Sequence, residues 1–315
     1  MRKLLKDCLF IMFVVVIMFF TTSQPSFSGT MKFAQLSDIH YSVGREDTSY
    51  KLLSHTKELL NDAVSQINNH KNLKFVIVTG DGIDAPDKRA LDGMIEGLNG
   101  LNYPWYITVG NHDTAPSSYI NKLNFLKEIR AKNKNFTFHS TYYSFKPQKG
   151  FRVIVMDGAS NEGRSPHGSY SEEELEWLDD ILSQSQKDVV LIFQHFPLVT
   201  PYDSKSHEIR NAEEYKRVLE KYKMPIAVFS GHYHAAKIIK KDNILHVSTP
   251  ALVSYPNSFR IIEIKNQSKK AVFKFEFCET GLKDLQQTAK IRIVGDSIFY
   301  GKEKDRETEI IIEKK

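Results

Sequence analysis

Phe75-Val76-Ile77-Val78-Thr79-Gly80-Asp81-Gly82-Ile83-Asp84 (residues 75–84) sets a β-branched and aromatic run directly against a glycine and two carboxylates. An apolar run this short, bounded by turn residues, predicts a strand buried on both faces, with Asp81 just past its tip. The same arrangement recurs along the chain. Strands predicted at 32–36, 105–109, 189–193 and 226–229 are followed by Asp38-Ile39-His40, Gly110-Asn111-His112-Asp113, Gln194-His195 and Gly231-His232-Tyr233-His234. Helical spacing fills the intervals: 50–69, with Leu52, Leu59, Leu60, Ala63, Val64 and Ile67 on one face, 87–98 behind Pro86, 117–132 and 212–222. Ser171 and Glu174 form a capping box that opens a helix at 172–182. Strands at 142–145 and 151–157, a hairpin of 237–240 and 244–248 turning at Asp242-Asn243, and late strands at 259–264 and 271–277 follow the same reading. A helix from Leu282 to Ile293 and a last strand at 307–313 close it. Strands alternating with helices in this way predict an α/β protein.

Open α/β sheets bind ligands in the crevice outside the carboxyl ends of their strands. The side chains delivered there are Asp, Asn and His, the hard oxygen and imidazole donors of a two-cation site. Two cations about 3.5–4 Å apart lower the pKa of a shared water and clamp phosphoryl oxygens during in-line attack. No cysteine stands among the donors, which argues against a thiolate zinc site. Glycine before Asp81, Asn111 and His232 is expected to let each strand end turn tightly. The i, i+2 pairs Asp38/His40 and His232/His234 are expected to share one face of extended backbone.

The ordered set D-x-H, G-D-x-x-D, G-N-H-D, a lone strand-end His and G-H-x-H, from Asp38 to His234, resembles the calcineurin-like metallophosphoesterase superfamily. The resemblance implies a four-layer α-β-β-α sandwich of two mixed sheets, with a dimetal site at the C-terminal ends of the strands. Asp38, His40 and His234 would hold one metal, Asn111, His195 and His232 the other, and Asp81 would bridge them. The ions would be divalent or trivalent transition metals, with Mn, Fe or Zn foremost. His112 would meet the leaving-group oxygen as a general acid, or stabilise its developing charge. Asp84 would orient His112, although an Asp two residues before Pro86 is equally turn chemistry. Asp84 stands where purple acid phosphatases carry a tyrosine ligand, and Ala85-Pro86 and Asp113 depart from the phosphoprotein phosphatase pattern. The motifs are closer to the branch with cyclic-nucleotide phosphodiesterases. Residues 248–255 also resemble a segment of that branch that shapes the pocket wall.

Hydrophobic residues make up 41% of the 315 and charged residues 26%, which excludes wholesale disorder. The formal charge of +5 suits anionic small substrates, but no dense basic stripe accompanies it and no nucleic-acid partner is expected. Arg2, Lys3 and Lys6 precede an apolar run at 8–20, and Ser26-Phe27-Ser28 offers a small-x-small cleavage site. Residues 1–28 thus read as a signal peptide, sending the chain to a secreted or periplasmic location. An uncleaved anchor is the alternative, but a spanning helix needs roughly 20 apolar residues and Lys6 and Asp7 cut this run short. With Cys8 removed, Cys278 is left alone and no internal disulfide forms. Residues 29–265 form the phosphoesterase domain and 266–315 a C-terminal extension of it.

Six of the eleven histidines fall outside the motifs. His55 and His70 are expected in solvent, His139 and His167 in loops and His246 as a satisfied strand residue; His207, in the polar loop after His195, is expected on the surface, with substrate contact as the alternative. Tyr41, Tyr202 and Tyr233 adjoin ligands and are candidates for stacking on a base or sugar. Residues 161–169 read equally as a lid or a plain loop. The expected activity is hydrolysis of a phosphate mono- or diester by metal-activated water. A nucleotide or cyclic-nucleotide phosphodiesterase is the narrower alternative, and a non-catalytic scaffold on the same fold the remote one.

Overall fold

The computed structural model describes residues 28–293 and 295–314; the expected leader lies outside these except for Ser28. The first half alternates β1 (Gly29–Leu36), α1 (Thr56–Asn69), β2 (Val76–Thr79), α2 (Lys88–Leu98), β3 (Trp105–Thr108) and α3 (Lys122–Lys132). The second continues with β4 (Tyr143–Phe145), β5 (Phe151–Val155), α4 (Glu172–Ser183), β6 (Val189–Phe193), α5 (Ala212–Glu220) and β7 (Ile226–Ser230). Then come β8 (Lys237–Lys241), β9 (Ile244–Ser248), β10 (Ser258–Asn266) and β11 (Lys270–Glu279). Three short helices, α6 (Lys283–Arg292), α7 (Asp296–Tyr300) and α8 (Glu303–Arg306), lead to β12 (Thr308–Glu313).

Two six-stranded sheets result, ordered β12-β11-β10-β1-β2-β3 and β4-β5-β6-β7-β9-β8. Both are mixed: β1-β2-β3 and β5-β6-β7-β9 run parallel, while the outer pairings are antiparallel. The sheets pack face to face through rings, with Phe33 of β1 5.4 Å from both Phe193 and Phe229. Every residue of β2, β6 and β7 is buried, since the opposite sheet covers one face and helices the other. In α1 the buried side is Thr56, Leu59, Leu60, Ala63, Val64 and Ile67, the spacing of a single helical stripe. The expected four-layer sandwich is thus observed.

Local departures have physical causes. The first helix starts at Thr56 rather than at 50, because Leu52 N–H donates to Val253 O (2.9 Å) and Lys51 turns inward. The third starts at Lys122 rather than at 117. There Ser118 Oγ accepts from Ile120 N–H and donates to Pro86 O, and the Asn121 side chain caps Asn124 N–H. Only half of the Ser171/Glu174 capping box forms: Ser171 Oγ accepts from Glu174 N–H, but the buried Glu174 carboxylate accepts from Asp157 N–H at 2.7 Å instead. The hairpin between β8 and β9 forms as read, with Asp242 and Asn243 at φ 50° and 64°. β11 and β12 widen the first sheet beyond β10, and Asp305 of α8 accepts from Ile238 N–H of β8. No helix among the described residues is long and apolar enough to cross a membrane.

Candidate metal centre

The parallel strands of both sheets end at one crevice, and all seven expected ligands meet there. Asp38 and His40 follow β1, Asp81 follows β2, Asn111 follows β3, His195 follows β6, and His232 and His234 follow β7. Asp38, His40 and His234 bring donor atoms within 4.8 Å of one another, as do Asp81, His195 and His232. Asp81 Oδ2 lies between the groups, 3.4 Å from His40 Nε2 and 3.4 Å from His195 Nε2. Asn111 Oδ1 stands 3.1 Å from His195 Nε2, and His232 Nδ1 also 3.1 Å from it. His234 Nε2 is 3.4 Å from Asp38 Oδ1.

These spacings suit metal ligands. Two donors each about 2.1 Å from one ion, at tetrahedral to octahedral angles, stand roughly 3.0–3.4 Å apart. His40 Nε2 is buried without a hydrogen-bond partner, a costly arrangement unless an ion takes its lone pair. The other ring nitrogens are already committed, which sets each tautomer. His195 Nδ1–H donates to Thr79 O at 2.9 Å and His232 Nε2–H to Pro166 O at 2.8 Å. His40 Nδ1 faces Asp84 Oδ1 at 3.1 Å, and His234 Nδ1 faces Ser254 Oγ at 2.9 Å. Ser254 lies in 248–255, so that segment supports the His234 ring from behind, while the pocket walls come from other residues.

The backbone is bent to deliver these groups. Among the described residues nine non-glycines have positive φ, all Asp, Asn or His, and five of them are Asp38, His40, Asp81, His232 and His234. Such left-handed conformations cost of order 1–3 kcal/mol each. The i, i+2 pairs therefore converge through left-handed turns, not along extended strand as expected. The glycines also differ in role. Gly80 has φ 82°, a turn that favours glycine. Gly110 and Gly231 are needed for closeness: a Cβ would stand 2.2 Å from Asp81 N at Gly110 and 1.9 Å from Ser37 Oγ at Gly231.

Electrostatics follow from burial and mutual attraction. Burial raises the Asp38 carboxyl, but the His234 and His195 rings outweigh it and hold it at about 2. Asp81 is likewise driven well below the usual carboxylate range by His195, His112 and His40 against the effect of burial. Burial lowers His195, yet Asp81 and Asp38 bring it up to about 9. His40 and His232 fall to about 3, through burial and then the charge of Lys51 and His195 respectively, and so present neutral rings.

His112 stands at the rim, its Nε2 4.0 Å from Asp81 Oδ2. Its Nδ1–H donates at 2.8 Å to the main-chain carbonyl of Asp84. The Asp84 carboxylate is engaged mainly elsewhere: Oδ1 is 3.1 Å from both His40 Nδ1 and Lys51 Nζ and 3.6 Å from His112 Nδ1, and Oδ2 meets Arg45. The orienting contact expected from the Asp84 side chain thus comes from its backbone, while the carboxylate braces His40.

Lys51 and Arg164 escape the sequence reading, and Asp113, part of the G-N-H-D motif, receives no structural role from it. Lys51 was hidden inside an apparent helix. Arg164 sits in the polar loop at 161–169, whose glycine content was its one visible signal; its Nη2 contacts His112 Nε2. That loop therefore lies over the site, with Pro166 on His232 and a bridge from Gly168 to Ile209 tying it down. Asp113 is fully buried and ties two strand-tip loops together by accepting from Gly110 N–H (2.7 Å) and Ile83 N–H (3.0 Å). His207 is not a plain surface residue: its ring lies 5.2 Å from that of His232 and lines the pocket. Tyr41 is buried against Gly93, away from the crevice.

A sequence profile of the calcineurin-like phosphoesterase family matches residues 31–236. The chain belongs to this family. As a calcineurin-like phosphoesterase it is a metal-dependent phosphoric ester hydrolase. It is 25% identical over 284 residues to a manganese-dependent ADP-ribose/CDP-alcohol diphosphatase of Arabidopsis thaliana, covering 74% of this chain and 88% of that one. It is 28% identical over 212 residues to a probable cyclic nucleotide phosphodiesterase of Rhodopseudomonas palustris, covering 65% and 72%. The fold resembles that of a dimetal phosphatase from Danio rerio, with TM-score 0.63 at 18% identity over 90% of this chain and 99% of the other. Within this calcineurin-like phosphoesterase, the buried Lys51 and the exposed Arg164 add positive charge to the crevice.

Proposed function

We propose that this chain is an exported dimetal phosphoesterase that cleaves a phosphate diester or diphosphate, with monoesters as poorer substrates. Asp38, His40 and His234 would hold one ion, Asn111, His195 and His232 the other, and Asp81 would bridge them. The observation that carries this reading is Asp81 Oδ2, equidistant at 3.4 Å from one imidazole of each group. Manganese, iron or zinc suits such an Asp/Asn/His donor set. Two bound ions would supply an activated water and neutralise the phosphoryl oxygens.

The protein's own groups do the rest. Arg164 faces the same opening as His112 and would take a phosphoryl oxygen, leaving His112 Nε2 free for the leaving-group oxygen. The Asp84 carbonyl fixes the His112 ring by holding Nδ1–H, so Nε2 would face the leaving-group oxygen and give up a proton only from the imidazolium, a form that burial disfavours and the Asp81 carboxylate favours. Asp84 and Lys51 brace His40 from behind. The preference for diesters and diphosphates is supported by the named activities of the diphosphatase and the cyclic nucleotide phosphodiesterase. A scaffold role finds no support, since every expected donor is present.

Elemental analysis and rates on bis-p-nitrophenyl phosphate and p-nitrophenyl phosphate, with Mn, Zn and Fe, test the reading. Two metals per chain and a faster diester are expected. A monoester preference above about tenfold, roughly 1.4 kcal/mol in the barrier, would discard the diester assignment. Export is tested separately: mass spectrometry of protein recovered outside the cytoplasm should find a chain beginning near Gly29, and a retained Met1 would refute cleavage.

A further inference from the structure

A second cavity opens off the metal pocket, with a volume of about 240 Å³. Every side chain lining it carries a ring: Tyr50, Tyr202, Tyr233, Phe299 and three histidines shared with the metal pocket. The rings are held in place. Tyr233 O–H donates to Ser204 O at 3.1 Å, Tyr202 meets Tyr233 edge-on at 5.1 Å, and Tyr50 lies 5.9 Å from the His234 ring. Phe299 comes from α7, beyond the residues matched by the family profile. Its position is fixed by the main chain, because Ala236 N–H donates to Phe299 O at 2.9 Å and Gly301 (φ 67°) packs against Ala236 O. Tyr50 remains exposed (44%), large for an aromatic side chain beside a buried polar site.

A cleft walled by rings alone, without a carboxylate, ammonium or guanidinium, selects a flat uncharged group and offers it stacking. His232 and His234 belong to both cavities, so one ligand filling both sets its phosphate among the metal donors and its ring in the cleft. We infer that this aromatic cleft is a nucleobase subsite, with Phe299 of the C-terminal segment as a specificity-determining wall. The inference rests on the phosphoesterase reading for the position of the phosphate. It narrows the substrate class to nucleotides whose scissile phosphate lies within one sugar of the base.

The test uses the manganese-loaded full chain and the variants Phe299→Ala and Tyr202→Ala, which alter different walls of the cleft. For each, kcat/KM is measured on 3′,5′-cyclic AMP and ADP-ribose, and on glycerophosphocholine, a phosphodiester without a base. Base stacking on one aromatic is worth about 1–3 kcal/mol, so the base-bearing to base-free ratio should fall about 5- to 150-fold in each variant, mainly through KM. A ratio unmoved in both variants overturns the subsite. Binding of AMP against ribose 5-phosphate reads the same cleft without turnover, and AMP is expected to bind more tightly. Equal affinities overturn the subsite even where hydrolysis is found. If the loaded chain hydrolyses none of these esters the diester and diphosphate reading falls, and the AMP comparison still decides the cleft.

Discussion

Replacing His246 with leucine should make the protein more stable, and increasingly so as the pH falls. His246 lies on β9, buried between β7 and β8, and its Nδ1 has no hydrogen-bond partner. Burial, and then the charges of Lys241 and Lys216, lower the ring from 6.5 to about 4. The unfolded chain therefore takes up the proton first, and stability declines as the pH drops below about 6.5, levelling off near 4. Each pH unit inside that window removes about 1.4 kcal/mol, or about 3 kcal/mol across it. Leucine has a similar size, cannot protonate and leaves no buried nitrogen unmet, an omission worth about 1 kcal/mol at any pH. Urea unfolding of both proteins at pH 7.5, 6 and 5 in the same metal-containing buffer measures the difference. The expected gap is about 1 kcal/mol at pH 7.5, widening by about 2 kcal/mol at pH 5. A gap that stays constant with pH would show that folding does not lower the His246 pKa, and the reasoning would fail.

His112→Ala should retain both metals by elemental analysis and lose about 10²–10⁴ of turnover, the usual contribution of a positioned acid; unchanged turnover would remove His112 from the chemistry. Lys51→Met takes the buried ammonium from Asp84, leaving Arg45 as its remaining cation. Denaturant unfolding should register a loss of about 3 kcal/mol, the lower end for breaking a buried pair, and a loss below about 1 kcal/mol would mean that solvent reaches the carboxylate. Gly231→Ala should lower the melting temperature and the metal content through the clash with Ser37 Oγ. Ser37→Ala in the same chain should restore part of both, and no rescue would place the clash elsewhere.

Much of the site was legible because its donors follow short apolar strands, and a strand's tip is marked by where the apolar run stops. Leu36, Thr79, Phe193 and Ser230 end β1, β2, β6 and β7 within a residue or so of where the hydrophobic pattern ends. What sequence periodicity missed lay where tertiary contacts override local preference. Residues 50–52 have helical spacing, but Lys51 finds Asp84 and Leu52 pairs with Val253, contacts with partners 33 and about 200 positions away. Glu174 was in register for a capping box and found the Asp157 amide instead. Phe299 carries no local mark of its part in the cleft, since its place is set by a hydrogen bond from Ala236. Histidines behaved alike: His246 looked satisfiable from its strand, and only the packing around it leaves Nδ1 unmet.

The left-handed turns under Asp38, His40, Asp81, His232 and His234 also restrict how the centre can be altered. Asp, Asn, His and Gly tolerate that region, whereas branched or bulky side chains do so poorly. A thiolate or a longer carboxylate substituted there must overcome the chain's own conformational preference before any ion is considered. Retuning this protein toward softer metals would thus require rebuilding the loops together with the ligands. The backbone, as much as the donors, disfavours softer ions at this centre.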